Sequence, residues 1–328
     1  MLEEAERTMR LRCMKRTIKR CTVTILSGAA LLFVGCDQAV ERAVPTASPP
    51  VIGPQADLTA VQALMQQLLA SEPLIPDGTL SPDDPLPFGH TIHVVTHDNQ
   101  DSWKVQVSSG TVTFENDQCD PGETPLPSGA LHLVVVPGIG PLTYARLRAT
   151  RYHRTYLRDL TRLDYWACDH KNNGQQWPFI VLEIDQNGDN VIDDELIFEP
   201  AYQNAGEGGT CGLGSAQGPE DYDVWQFWDG LRTDPTTGEF RACWWSVEDP
   251  AFPPGFVIRS LSQYITAYPN AAIVNLDGNH GGVQVMHGFA SASDSYDGWV
   301  DAFTIGKDIN GSNGQTQNST ITYDFQTP

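Results

Sequence analysis

From about residue 86 onward the chain breaks into short runs that mix apolar and polar residues, separated by Gly, Pro, Asn and Asp: LHLVVV, LTYARLRA, LDYWA, FIVLEI, ELIFEP, VWQFW, RACWWSV, AAIVNL, GVQVMHGF, WVDAFTIG and STITYDF. Successive side chains of a strand point to opposite faces, so each run predicts a strand. THDNQDSW and VSSGTV read as turns between them. Many short strands with almost no helical periodicity predict an antiparallel β-sandwich, of the jelly-roll kind. The one helical pattern lies upstream. In ADLTAVQALMQQLLAS, Ala56 to Ser71, Leu58, Val61, Leu64, Met65, Leu68 and Leu69 recur at helical spacing and stop before Pro73. The expected fold is therefore all-β, an antiparallel sandwich over residues 86–328 with one short N-terminal helix and connection over 57–85. No fixed repeat and no linker-like stretch divides the sandwich.

The first residues follow a different logic. Lys15, Arg16, Lys19 and Arg20 precede the apolar run Thr22 to Gly35, which has the length of a signal peptide and is short for a membrane span. Residues 36–56 are rich in Pro, Ala and Ser and read as a tether. Removing residues 1–35 takes away seven of 20 basic and three of 41 acidic residues and leaves 13 against 38, a formal charge of -25. Such a chain repels nucleic acid and anionic lipid head groups, so neither is an expected partner. Beyond Cys36 there are Cys119, Cys168, Cys211 and Cys243, an even number in an exported chain, which predicts two disulfides with the pairing left open.

Two resemblances bear on these readings. Phe33-Val34-Gly35-Cys36 resembles the lipobox of bacterial lipoproteins, with Phe33 where that motif usually has Leu. It implies lipidation of Cys36 and a place in the bacterial cell envelope, outside the cytoplasm and held to a membrane by the lipid anchor only. Further on come Leu160 to Trp166, Val181 to Asp185 with the following NGD, Phe198-Glu199-Pro200, Val224 to Asp229, Cys243-Trp244-Trp245, Tyr268-Pro269, Val300 to Gly306 and Tyr323-Asp324-Phe325. Together they look like a jelly-roll module of exported bacterial proteins, similar in build to concanavalin-like and carbohydrate-binding sandwiches. The resemblance covers residues 86–326, and its motifs describe core and turn positions, so it informs fold more than function.

The stretch VLEIDQNGDNVIDDELIFEP, Val181 to Pro200, reads three ways. As a catalytic strand, Glu183 and Asp185 share a face and resemble the start of the ExDxxE motif of sandwich-fold retaining glucanases. The third carboxylate of that motif falls on Gly188, which has no acid to offer. As a calcium loop, Asp185, Asn187 and Asp189 alternate as oxygen ligands, Val191 offers its carbonyl, and Asp193 takes the ninth place. Here Leu196 occupies the twelfth position in place of Glu, with Asp194 or Glu195 as substitutes, and Asn190 stands where Gly makes the turn. As a plain hairpin, FIVLEI and ELIFEP are joined by Asn187-Gly188, and this is compatible with a bound Ca2+.

Other residues offer less chemistry. His90, His93 and His97 lie close together, but alternation sends His90 away from the other two, and His280 and His287 fall on opposite faces of a regular strand. Trp225, Trp228, Trp244 and Trp245 are the candidate ligand-binding rings, because sugars stack their apolar faces on flat aromatics. Six arginines, Arg146, Arg148, Arg151, Arg154, Arg158 and Arg162, invite either an acidic glycan or internal pairing with the acidic surplus. The reading that joins these features is a lipid-anchored, calcium-stabilised sandwich that binds a polysaccharide or cell-surface glycan without changing it. The alternatives are a polysaccharide-degrading hydrolase or lyase, for which no complete acid/base set is visible, and a structural or adhesive surface protein.

Overall fold

The computed structural model describes residues 89–327, apart from the stretches 117–118, 120–124, 127–128, 139–142, 175, 205–215, 248–257, 277–280, 291–292 and 311–315. The expected signal peptide, Cys36, the tether, the helix at Ala56 to Ser71, Cys211 and His280 lie outside the described residues.

The described chain runs through β1 (Gly89–Val95), β2 (Trp103–Val107), β3 (Gly110–Glu115), β4 (Ala130–Val135), β5 (Thr143–Ala149), β6 (Thr155–Tyr156), β7 (Leu160–Lys171), β8 (Phe179–Asp185) and β9 (Asp194–Phe198). It continues through β10 (Gln226–Asp229), β11 (Cys243–Ser246), β12 (Ile258–Ser260), helix α1 (Leu261–Ala267), β13 (Ala272–Ile273), β14 (Val283–Ala290), β15 (Tyr296–Asn310) and β16 (Thr316–Phe325). The first sheet is organised by β15. One edge of it pairs with β7, which pairs in turn with β10. The other edge is shared: Tyr296–Val300 pairs with β4 and through it β3, while Phe303–Asn310 pairs with β16 and through it β1. The second sheet runs β12, β11, β9, β8, β14, β5, β2, with β13 beside β8 and β6 beside β13. The named ladders are antiparallel except β1 with β16.

Period-two alternation explains how the sheets meet. Leu131, Leu133, Tyr165, Val300 and Phe303 from the first sheet share one buried cluster with Leu147, Ile180, Leu182, Leu196 and Val285 from the second. Trp103 stands edge-on to Phe303, Tyr323 and Phe325 at ring separations of 5.4, 5.0 and 5.7 Å. Two smaller clusters form away from this core. Cys119, Leu126, Trp166, Cys168, Trp225 and Trp299 make one, and Phe179, Val181, Ile197 and Met286 the other. Among the described residues no helix is long and apolar enough to cross a membrane.

Candidate metal centre

Strands β8 and β9 form a hairpin in which Leu182 faces Leu196 and Ile184 faces Asp194. Because Ile180, Leu182 and Ile184 point into the core, Glu183 and Asp185 point to the opposite face. The connection is folded around the Asp185 side chain. One carboxylate oxygen accepts the N–H groups of Asn187 (3.0 Å) and Gly188 (2.6 Å), and the other accepts that of Asn190 (2.8 Å). Asn187 Oδ1 then accepts from Asp189 N at 3.0 Å, and Asp189 Oδ1 from Val191 N at 2.9 Å. Asp193 closes the loop, its Oδ2 accepting Gln186 N at 2.9 Å and Asn187 Nδ2 at 3.1 Å. The left-handed residues are Gly188 (φ 89°) and Asn190 (φ 63°), so the turn is not confined to the Asn187-Gly188 pair.

This winding brings one ligand oxygen from each of Asp185, Asp189 and Asp193 within 4.8 Å of the others. Three hard carboxylates so close, next to Asn187 and the backbone of Val191, suit a calcium ion that takes six to eight oxygens. Burial pushes the Asp185 carboxyl up, but backbone N–H groups, led by those of Gly188 and Asn190, outweigh it and hold the acid below its ordinary range. The two substitutes for a twelfth-position ligand fare differently. Asp194 is buried and already accepts from Ser246 Oγ (2.6 Å), Tyr264 Oη (2.9 Å) and Glu195 N (2.8 Å), whereas Glu195 is half-buried and stands opposite Glu183 in the hairpin; Leu196 itself lies in the core.

The remaining candidates fall as follows. Glu183 is buried and accepts from Gln284 Nε2 at 2.8 Å. The tryptophan expectation meets a packing constraint: Trp225, Trp228 and Trp244 are 2%, 1% and 2% exposed, and Trp245 is half-buried against Phe179, Val181, Ile197 and Met286. Rings packed in this way present no open face to a sugar, so stacking on Trp225, Trp228 and Trp244 is not available. His90 bonds Thr322 (2.9 Å), His93 lies 3.4 Å from Asp101, and His97 bonds Asp98 (3.1 Å), so the three do not converge. Arg162 pairs with Asp164, whereas Arg146, Arg148 and Arg154 donate to the amide oxygens of Gln284, Asn275 and Asn190. Cys119 and Cys168 form a disulfide, with Cα atoms 6.3 Å apart, and Cys243 is disulfide-bonded as well.

Three groupings were not signalled by the sequence, although it shows His287 and Glu199 singly. Glu199, buried beyond the end of β9, is pushed up to about 7 by burial despite hydrogen bonds from Trp245 and Gln176. His287 lies 3.1 Å from Asp169, fully buried between the sheets. His132 is hydrogen-bonded on both sides, by Glu115 and, at 2.6 Å, by Asp297. Each pairing joins residues from different segments of the chain, which no local motif announces. Comparison with known proteins adds nothing to these observations: no family model, no curated protein and no solved structure matches the chain.

Proposed function

We propose that the chain is an exported, lipid-anchored jelly-roll protein of the bacterial cell envelope that binds an extracellular glycan without cleaving it, with Ca2+ bracing the binding edge. The strand order supports the jelly roll: β4, β15, β7, β10 in one sheet and β5, β14, β8, β9 in the other are two interleaved Greek keys. The oxygen-lined loop of Asp185, Asn187, Asp189, Val191 and Asp193 supports the ion.

The observation that carries the glycan reading is a single row across the second sheet. Ala272 pairs with Tyr156 on one side and with Asp185 on the other, so the three side chains share a face. At about 4.8 Å per strand, Tyr156 stands roughly 10 Å from Asp185. Its ring is 39% exposed. The Arg158 guanidinium lies 4.6 Å above it and donates to Pro269 O (2.6 Å) and Asn270 Oδ1 (3.3 Å). A partly exposed ring covered on one face by an arginine, with an amide beyond it, leaves its other face as the one with the chemistry for a sugar, and the arginine and amide for its hydroxyl or acid groups.

Native affinity electrophoresis through gels containing a panel of polysaccharides, with calcium and with chelator, tests this. Retardation in one gel, weakened by chelator and lost in Tyr156→Ala, is the expected result. Uniform migration in every gel moves the weight to a structural or adhesive role. The enzyme reading has Glu199 in its favour, an acid that burial raises to about 7, so that it is part protonated near neutrality. If new reducing ends or unsaturated ends form with the native chain and not with Glu199→Gln, that reading replaces the binding one.

A further inference from the structure

The outer face of the first sheet carries a line of alternating carboxylates and imidazoles that the proposed function does not use. Glu115 on β3 bonds His132 Nδ1 on β4, whose Nε2 lies 2.6 Å from Asp297 on β15. Asp297 feels the charge of His170 on β7, which bonds Asp223 ahead of β10. The register explains most of the line: Trp299 faces His132 across one ladder and Cys168 across the next, and the ladder with β7 shifts register between Asp297 and Gly298, so that Asp297 comes opposite Lys171 with His170 next to it in the chain. His132 is stacked on Trp299, with ring centres 3.7 Å apart and planes 1° from parallel, which sets the plane of its ring. Both its nitrogens meet carboxylates, a geometry that suits only the doubly protonated ring.

We propose that this acid–imidazole ladder is a proton-operated latch that holds β3 on the edge of the first sheet. Among the described residues strand β3 pairs with β4 alone, and Phe114 is its buried anchor in the core, so Glu115 with His132 is its outer fastening. With both rings charged, three carboxylates face two cations. With both neutral, the same line holds three negative charges, with Lys171 opposite Asp297 as a cation beside them, around a ring that can donate only one proton.

Among the described residues the groups facing the two rings are Glu115, Asp297 and Asp223, with Asp169 of β7 and His287 of β14 behind them and Lys171 exposed at the end of β7. Thr113 Oγ1 donates to Glu115 at 2.9 Å. Burial works against the charge on His132, but the hydrogen bonds of Asp297 and Glu115 outweigh it and raise the ring above its ordinary range. A raised imidazole stabilises fully below its unfolded value, about 6.5, and loses that contribution as the pH rises through the folded value.

Hydrogen exchange of the full chain in detergent micelles, corrected for intrinsic rates, tests the latch at about pH 5.5 and pH 8. Protection of the Val112–Glu115 amides is expected to fall about tenfold at the higher pH, while the β8–β9 hairpin keeps its own. In His132→Gln the strand should be weakly protected at both values. Where that variant does not fold, Glu115→Gln, which removes one of the repelling charges, should keep β3 protected at pH 8. Protection factors that agree within about threefold at both pH values in the native chain, or a Glu115→Gln strand that loosens as the native one does, would overturn the proposal.

Discussion

Asn190 shows how much of the loop depends on one backbone angle. At φ 63° its N–H reaches Asp185 and its side chain accepts Arg154 Nε at 3.0 Å. The left-handed region costs a residue with a Cβ roughly 1–2 kcal/mol, least for Asn and Asp, whose short polar side chains bond locally. Asn190→Val should therefore lower stability by about 1–2 kcal/mol, with Asn190→Gly close to neutral, in thermal melts. Asp185→Ala strips acceptors from three backbone N–H groups and should cost about 1–3 kcal/mol even without calcium. On the proposed calcium reading it should also abolish a calcium-dependent rise in melting temperature of the native chain, which a single site would produce through about 2.7 kcal/mol of stabilisation at a hundredfold excess over Kd. The loop was legible in the sequence because its donors lie within a few positions of one another. His132 and Asp297 were not, since 165 residues separate them and only the register of β4 on β15 brings them together. Alternation did separate Trp225 from Trp228, which pack into different clusters, but it does not reveal which face of a sheet is covered.

Helix α1 is the element that period-two reading passes over. Its seven residues make fewer than two turns, too few for an apolar stripe to stand out, and only Leu261 and Tyr264 are buried. Its signal lies at the end: Ser260 accepts from Gln263 N at 3.3 Å, and the Gln263 side chain returns a bond to Ser260 N at 3.1 Å. That capping box is written in the sequence as Ser-x-x-Gln. Ser260→Ala should cost about 1 kcal/mol, seen as faster exchange of the Leu261–Ala267 amides, and the Tyr264 bond to Asp194 carries the disturbance towards the candidate metal centre. Strand β15 marks the opposite limit. Its core half is legible as WVDAFTIG, but its full span of 15 residues is not. The register shifts between Asp301 and Thr304, around Ala302 at φ 50°, as one edge passes from β4 to β16. Which strands share an edge is a tertiary fact, and nothing in the local pattern encodes it.

Across the whole molecule, buried acids tilt the response to pH. Burial raises Asp164 to about 6 against the pull of Arg162, and Asp324 to about 7. Asp301, buried beside Asp324, is raised well above its ordinary range, again by burial first. Acids whose folded values are raised take up protons on folding, so their stabilisation is fully present below about pH 4 and is lost as the pH rises towards 7. Asp185 and Asp297 act in the other direction, because their lowered values make stability fall only as the pH drops below about 4. Thermal melts between about pH 4 and pH 9 should therefore peak on the acid side of neutrality, and Asp324→Asn should flatten the decline above the peak. The parallel pairing of β1 with β16, Gly89 opposite Ser319 and Val95 opposite Phe325, has a mechanical meaning on the proposed reading of a tethered protein. Gly89 begins the first described strand, so a pull applied from its N-terminal side would run along β1 and load its bonds to the last strand together, in shear, and not one after another as in unzipping. A domain strained between a membrane and a bound surface would thus resist at the joint where its first and last strands lie side by side.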